Sequence, residues 1–479
     1  MLDKTELSPT DEQQDIINLI ETTNDNLLVN ALAGTGKTTT LDMVQAASPQ
    51  QPVLCLAFNK RIADEMSKRF PSTTTVRTFN SLGHRIWASA VGKISLDPKK
   101  TQAHLKEAIA SLKGDDRRAA SDAWFDIVSA ISLAKALGYV PDGKFPSAKR
   151  LLDRSQFHAS LEEKPSPLIA DLIDSLLFSS IQASYKGLID YNDQIFMPSL
   201  FGGTFPRFPH VLVDEAQDLN PTNHAMLDKL VKGRLCAVGD PFQSIYGFRG
   251  ALQQGMQSIK AKFDCQERDL SITFRCPRVI VEAAHWRVPS YKWMKEGGHY
   301  EVLNLLSPKD IVDSSAIICR NNAPLFRIAF NLLSVGRSVS VAGSDIGPRL
   351  IRIMQKLGDG HIKQSDLLIM IENWRDAKLE TSQSPKTIYD MAECMKVFAS
   401  FGSTLDQAVG YAEHLFAQQG TIKLLTGHKA KGLEWDTVYH LDPWLIGDGE
   451  QEKNLRYVIT TRAKEALYEI NSDQMKWQH

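Results

Sequence analysis

Ala31-Leu32-Ala33-Gly34-Thr35-Gly36-Lys37-Thr38 follows the apolar run Leu27-Leu28-Val29 and precedes a segment, Thr39 to Ala47, that reads as a helix. A strand, a loop with two glycines, Lys-Thr and a helix together make a cradle for phosphate. Backbone N–H groups at the helix start face the anion, and the helix dipole favours its charge. In this pattern Lys37 reaches the β- and γ-phosphates and the Thr38 hydroxyl ligates magnesium. Ala31 stands where the strict pattern has glycine.

Outward from the cradle the chain alternates strand and helix. Upstream, Ser8 is placed as a helix N-cap, with Pro9 at the first position, acids in the first turn and an apolar face of Ile16, Ile17 and Ile20. Downstream, Val53 to Phe58 is a buried strand that runs into Asn59-Lys60-Arg61 and a helix ending near Phe70. Val76 to Asn80 is a further strand end, followed by Leu82 to Trp87. Such alternation predicts a parallel sheet with helices on its faces. From Ala88 to Gly187 apolar residues recur at helical spacing, with loops placed at Gly114-Asp115-Asp116 and Pro141-Asp142-Gly143. Strands return at Val211-Leu212-Val213, Leu235 to Val238, Ala316 to Cys319, Ser338 to Val341 and Thr437 to Leu441. A second helical stretch, Ser344 to Gly420, is broken by the polar segment Glu380 to Pro385.

The expected architecture is therefore α/β, with two parallel-sheet cores, each interrupted by a mostly helical insertion. The first core takes residues 1–87 and 188–277, with its insertion at 88–187. The second takes 278–343 and 421–479, with a short insertion at 344–420.

Composition narrows the classes. The 479 residues, 43% of them hydrophobic, suffice for several buried cores. No apolar run is long enough to span a bilayer, and the N-terminus lacks signal-peptide character, so no membrane partner is expected. Six scattered cysteines without a C-x-x-C pair argue against zinc, iron–sulfur and disulfide frameworks and suit a reducing cytoplasm. With a formal net charge of −1, any polyanion must be held in a local groove. The basic pairs Lys99-Lys100 and Arg117-Arg118 read as solvated faces, and His158, His285, His299 and His361 as surface or core residues.

The strand Val211-Leu212-Val213 ends in Asp214-Glu215, where an NTPase needs a magnesium ligand and a base beside the γ-phosphate. Ala237 to Ala251 ends another strand with Gly239-Asp240, then sets out Gln243, Tyr246, Phe248 and Arg249. A glutamine can sense a γ-phosphate, and aromatic rings beside an arginine can carry a base and a phosphodiester. With these motifs in this order, the chain resembles a UvrD/Rep-type superfamily 1A DNA helicase from Gln13 to Arg462, with weak matching in the two insertions.

The resemblance implies two RecA-like cores, ATP and Mg2+ as nucleotide and cofactor, and roles for individual residues. Gln13 would read the adenine edge. Ala33, Gly34, Thr35, Gly36, Lys37, Thr38 and Thr39 would hold phosphates and nucleotide, with Thr38 and Asp214 on the metal. Glu215 would activate the attacking water, and Gln243 would couple the γ-phosphate to DNA. In Thr273-Phe274-Arg275-Cys276-Pro277, Phe274 would stack on adenine and Arg275 contact the γ-phosphate. Asn454 to Ala463 matches the last helicase motif and makes Arg462 a second arginine finger. In Thr426 to Glu434, Glu434 would lie near the ribose or phosphates and His428 toward DNA. The DNA path would use Phe58, Asn59, Lys60, Thr78, Asn80, Tyr246, Phe248, Arg249, Arg320 and Asn322.

Asn80, Phe248 and Phe274 replace the family's usual histidine, tryptophan and tyrosine, and Thr39 stands where many relatives have arginine. The sequence ends shortly after Arg462, which predicts no fused nuclease domain. The implied activity is ATP-dependent 3′→5′ movement along single-stranded DNA and separation of duplex DNA, in replication, repair or recombination. Expected partners are single-stranded DNA, junctions of single and double strands, and a protein such as a nuclease, polymerase or single-strand-binding protein. The alternative is a DNA-stimulated ATPase acting as sensor, clamp or motor subunit of a nuclease or defence complex. A P-loop kinase has no use for the Glu434 and Arg462 motifs.

Overall fold

Alternate residues of the first strands turn to opposite faces, and both faces are buried. Leu27, Val29, Val53, Cys55 and Ala57 pack into one apolar cluster, while Leu28, Leu54 and Leu56 pack into another. The computed structural model describes residues 8–143, 145–161, 164–247, 250–252, 254–342, 346–380 and 385–475. The chain divides into two compact units between Ser271 and Ile272.

In the first unit the strands are β1 (Leu27–Ala31), β2 (Val53–Ala57), β3 (Thr74–Thr78), β4 (Ser95–Leu96), β5 (Leu188–Ile189), β6 (Phe208–Val213), β7 (Val231–Gly239) and β8 (Gln266–Leu270). Its first ten helices are α1 (Asp11–Thr22), α2 (Lys37–Ala47), α3 (Lys60–Arg69), α4 (Phe79–Val91), α5 (Lys100–Ser111), α6 (Gly114–Asp122), α7 (Trp124–Leu137), α8 (Arg154–Ala159), α9 (Pro167–Tyr185) and α10 (Asp193–Phe201). Six strands form a parallel sheet in the order β3-β2-β6-β7-β1-β8, and β4 pairs with β5. Because the strands are parallel, the cradle after β1, the acids after β6, Asp240 after β7 and the polar segments after β2 and β3 all lie along one edge. That edge is where ligands bind in open α/β sheets. Helices α5 to α9 bury a cluster of their own, which includes Leu105, Ile127, Ile131, Phe157, Leu177 and Ile181.

The second unit begins with β9 (Ile272–Pro277), paired with β10 (Lys292–Lys295). A second parallel sheet follows, built from β11 (His299–Leu303), β12 (Ala316–Cys319), β13 (Val339–Val341), β14 (Ile422–Thr426), β15 (Trp435–Leu441) and β16 (Ala463–Ile470). Its order is β11-β16-β15-β12-β14-β13. The inserted helices do not bury a core apart from this sheet: Leu350, Leu367, Met391 and Phe398 share one cluster with Ile317, Leu424 and Leu441.

Three local expectations are corrected. The first helix starts two residues later than expected. Thr10, not Ser8, is its N-cap, because Thr10 and Gln13 form a reciprocal capping box that fixes Asp11 as the first helical residue. Gly114-Asp115-Asp116 is not a loop but the first turn of α6, where the two acids face the positive end of the helix dipole. Lys100 is fully buried, in ion-pair contact with Asp193, and not on a solvated face. Residues 381–384 of the polar segment within the second insertion lie outside the described residues.

Gly83 marks the closest approach between α4 and α10. A Cβ built there would lie 1.9 Å from the Gln194 carbonyl oxygen. Gly83→Ala is therefore expected to destabilise the protein by about 1–3 kcal/mol, because backbone must move. Gly410, in the helix Leu405–Ala417, has nothing within 4 Å of the same position. Gly410→Ala should stabilise by about 0.5–1 kcal/mol. Urea unfolding of both variants checks the contrast.

Candidate nucleotide and nucleic-acid site

The cradle needs backbone that only glycine adopts without strain. Gly34 and Gly36 have φ of 71° and 80°, and Gly36 is the N-cap of α2 with no side-chain cap hydrogen bond. The first N–H groups of α2 thus meet the loop with no capping oxygen of their own helix. Lys37 Nζ donates to the Ala31 carbonyl at 3.1 Å. Thr35 is buried and donates its hydroxyl to Leu32 O at 2.8 Å, which closes the loop from within. Gln13 is buried beside α2: its Oε1 accepts from Thr10 N and its Nε2 donates to Thr40 Oγ1, each at 3.0 Å. These bonds use one of the two Nε2 hydrogens and one of the two Oε1 lone pairs. Thr39 Oγ1 lies 3.5 Å from the Arg69 guanidinium of α3.

At the end of β6, Asp214 is buried and its Oδ1 has no hydrogen-bond partner among the described residues. Burial and the neighbouring Glu215 charge raise its carboxyl to about 7, with Lys37 opposing them. Glu215 has φ 51° and ψ 45°, left-handed backbone that is uncommon away from glycine and asparagine and clusters at functional sites. A relay runs from it that the sequence did not disclose. Gln217 Nε2 donates to Glu215 Oε2 at 2.5 Å, Gln217 Oε1 accepts from Asp240 N at 3.0 Å, and Gln243 Nε2 donates to Asp240 Oδ2 at 2.6 Å. Gly239 is required beside it, since a Cβ there would fall 2.4 Å from Gln217 Oε1. Gln217 and Asp240 stood inside the motifs, but only the fold shows that they join Glu215 to Gln243.

The second unit gathers its own three residues from distant parts of the chain. Arg275 of β9 pairs with Glu434 at 2.6 Å (Nε to Oε2). Arg462, just before β16, is buried and donates to Val458 O, Leu433 O and Thr461 Oγ1 at 2.8, 3.2 and 3.1 Å. Burial and the Arg275 charge lower its guanidinium to about 10. Phe274 is exposed next to Arg275.

Of the residues expected on a DNA path, Phe58, Asn59 and Lys60 are exposed at the end of β2, beside Thr78 and Asn80 at the end of the adjoining β3. Asn59 and Thr78 use their side-chain oxygens to cap α3 and α4. Asn80 donates to Tyr191 O at 2.7 Å and to Gln194 Oε1 at 3.0 Å. Tyr191 was not anticipated, yet its ring is 55% exposed beside this strand end. Tyr246 is half-buried; Phe248 and Arg249 lie outside the described residues. In the second unit Arg320 and His428 follow the neighbouring strands β12 and β14. Arg320 forms a bidentate pair with Glu452, and the Asn322 backbone N–H and side-chain amide both donate to Asp390. The structure thus gives both residues internal partners.

The UvrD/REP helicase N-terminal domain family matches residues 10–264, and the UvrD-like helicase C-terminal domain family matches 378–474. The chain belongs to the UvrD/Rep helicase family. F-box DNA helicase protein 1 of Schizosaccharomyces pombe is 24% identical across 96% of this chain. DNA helicase IV of Escherichia coli is 28% identical across 54%, and ATP-dependent DNA helicase UvrD1 of Mycobacterium tuberculosis 27% identical across 54%. The chain spans 57%, 44% and 37% of those relatives' own lengths. Among the described residues no helix of this UvrD/Rep-family chain is long and apolar enough to cross a membrane.

A nucleotide with magnesium fits what the first unit presents. The uncapped start of α2 suits phosphate, and the unpartnered Asp214 Oδ1, near enough to Lys37 to feel its charge, suits a hard cation that keeps water and phosphate as its other ligands. The raised Asp214 carboxyl also fixes a stability effect. Its folded value lies above the unfolded 3.8, so keeping the charge buried costs nothing below about 3.8, costs more as pH rises, and levels off above about 7. Asp214→Asn, neutral throughout, is expected to raise the Tm measured without nucleotide or magnesium. The gain should grow across that window and then hold constant.

Proposed function

We propose that this chain is an ATP-dependent motor that moves 3′→5′ along single-stranded DNA and separates duplex DNA. The observation that supports this most directly is the relay Glu215–Gln217–Asp240–Gln243, which links a strained carboxylate beside the cradle to the segment leading to Tyr246. In this reading the α2 N–H groups and Lys37 bind the β- and γ-phosphates of ATP, while Thr38 and Asp214 hold magnesium. The metal supplies charge neutralisation on the phosphate oxygens. Glu215 accepts a proton from the attacking water as the bond to the leaving ADP oxygen breaks, giving ADP and inorganic phosphate. Gln217 and Asp240 keep Glu215 and Gln243 in register, so the attack and the state of the DNA-side segment are coupled. The exposed Phe274 suits stacking on a base, and Arg275 and Arg462, held within the second unit by Glu434 and by backbone carbonyls, carry the arginine-finger roles that the resemblance implies.

Phe58, Lys60, Asn80, Tyr191 and Tyr246, with Phe248, Arg249 and His428, carry the single strand by stacking and phosphate contact, without reading sequence. Arg320 and Asn322 support that path as framework, through Glu452 and Asp390. The six buried cysteines, all unpaired, suit a reducing compartment such as the cytoplasm.

Strand displacement tests the reading. A duplex with a 3′ single-stranded tail should be separated when ATP and magnesium are present, a 5′-tailed duplex should not, and Lys37→Ala should separate neither. ATP hydrolysis without separation of any tailed duplex would instead support a clamp or motor subunit. Gln217→Ala is expected to lower the turnover of DNA-stimulated hydrolysis by about 10–100-fold with little change in the KM for ATP, because it misplaces Glu215 without touching nucleotide. Steady-state kinetics check that split.

A further inference from the structure

Four ionisable side chains of the first unit are buried together outside the cradle. Lys100 of α5, Lys135 of α7, and Asp190 and Asp193 at the turn between β5 and α10 are each 6% exposed or less. The turn is closed by its own carboxylates. Asp190 Oδ1 accepts from Asp193 N at 2.9 Å, and Asp193 Oδ2 accepts from Asp190 N at 2.8 Å. The lysines take the remaining positions. Lys100 Nζ donates to Asp193 Oδ2, Ser180 O and Ser184 Oγ at 2.7, 2.7 and 2.8 Å. Lys135 Nζ lies 2.6 Å from Asp190 Oδ2 and 2.7 Å from Asp193 Oδ1. Two cations and two anions balance, but each has lost its hydration, so such a cluster contributes little stability over an apolar packing of the same volume. What it does supply is a fixed geometry for residues 190 to 193.

Between the two aspartates stands Tyr191, its ring exposed and its carbonyl held by Asn80. Gln194, one residue past the turn, also accepts from Asn80 and meets His84 Nδ1 of α4 at 3.2 Å. The Gly83 contact leaves α4 and the start of α10 no slack. The ring is therefore carried by a turn gripped on one side by two lysines of the helical insertion and on the other by the first two turns of α4, which follows β3.

We propose that Lys100, Lys135, Asp190 and Asp193 are positioning residues for single-strand binding, which fix the Tyr191 ring beside Asn80 as a stacking platform and so make the helical insertion part of the DNA-binding apparatus. The proposal rests on the reading of the β3 end as DNA path. None of the four touches the cradle, and nucleotide handling is independent of them.

The test is a double-mutant cycle on the affinity for a fluorescent single-stranded oligonucleotide, read by anisotropy without nucleotide. Tyr191→Ala should weaken binding about tenfold, the scale of one lost stacked base. Lys135→Met with Asp190→Asn, which removes one charge of each sign, should weaken it by a similar factor. All three substitutions together should weaken it no further. Should that charge-balanced variant fail to fold, the equally balanced Lys100→Met with Asp193→Asn carries the same cycle. Independent, multiplying effects, or unchanged binding in the charge variant while Tyr191→Ala weakens it, would overturn the positioning role. Full-strength binding by both Tyr191→Ala and Asn80→Ala would overturn the DNA-path reading, and this proposal with it.

Discussion

The first unit is built around a polar debt at one sheet edge. The N-terminal N–H groups of α2 have no capping side chain, and Asp214 is buried with an oxygen that nothing among the described residues satisfies. Both features oppose folding: a helix start at Gly36 without a capping side chain forgoes about a few tenths of a kcal/mol, and a buried carboxylate is driven toward its neutral form. They are tolerated because central strands buried on both faces surround them. Val211, Leu212 and Val213 of β6 and Leu28 and Val29 of β1 are all fully buried, so the strand ends cannot shift to relieve the strain. A ligand that brings phosphate and a hard cation would satisfy both at once. That is the physical sense in which the sheet is preorganised for a nucleotide.

The rest follows from where neighbouring strands end. Because β6 and β7 are adjacent, Glu215 and Asp240 come within reach of one glutamine, Gln217, and Gln243 falls on the same chain of hydrogen bonds. Because β2 and β3 lie beyond β6, the exposed Phe58 and the anchored Asn80 sit beside the phosphate end without entering it. The second unit repeats the logic, with Arg320 and His428 leaving adjacent strands and Arg275, Glu434 and Arg462 gathered within one unit. In the proposed function, binding and chemistry are divided by strand order rather than by distance along the chain.

Much of this was legible from residues alone, for an identifiable reason. Strands β2 and β12, and the stretches Leu27–Val29 of β1 and Val211–Val213 of β6, are buried on both faces and so read as apolar runs that lead into polar motifs. Strands β8 and β11 were not legible: both lie at sheet edges, and Gln266–Leu270 and His299–Leu303 are largely polar or exposed. Lys100 looked solvated because the carboxylate that pairs with it, Asp193, lies 93 residues further on, and nothing local announces it. Thr10 displaced Ser8 as the cap because the glutamine that completes the capping box follows Thr10 by three residues. Arg320 and Asn322 were placed on the DNA path by motif. Their commitment to Glu452 and Asp390 depends on elements that only folding brings near.

In the proposed motor, hydrolysis at this cradle is driven by a single strand held at the neighbouring strand ends. Steady-state ATP hydrolysis with and without single-stranded DNA, in the intact protein and in Glu215→Gln, tests it most directly. Strong stimulation by DNA is expected, lost in Glu215→Gln while nucleotide still binds. A rate indifferent to DNA, or stimulation that survives Glu215→Gln, would contradict it.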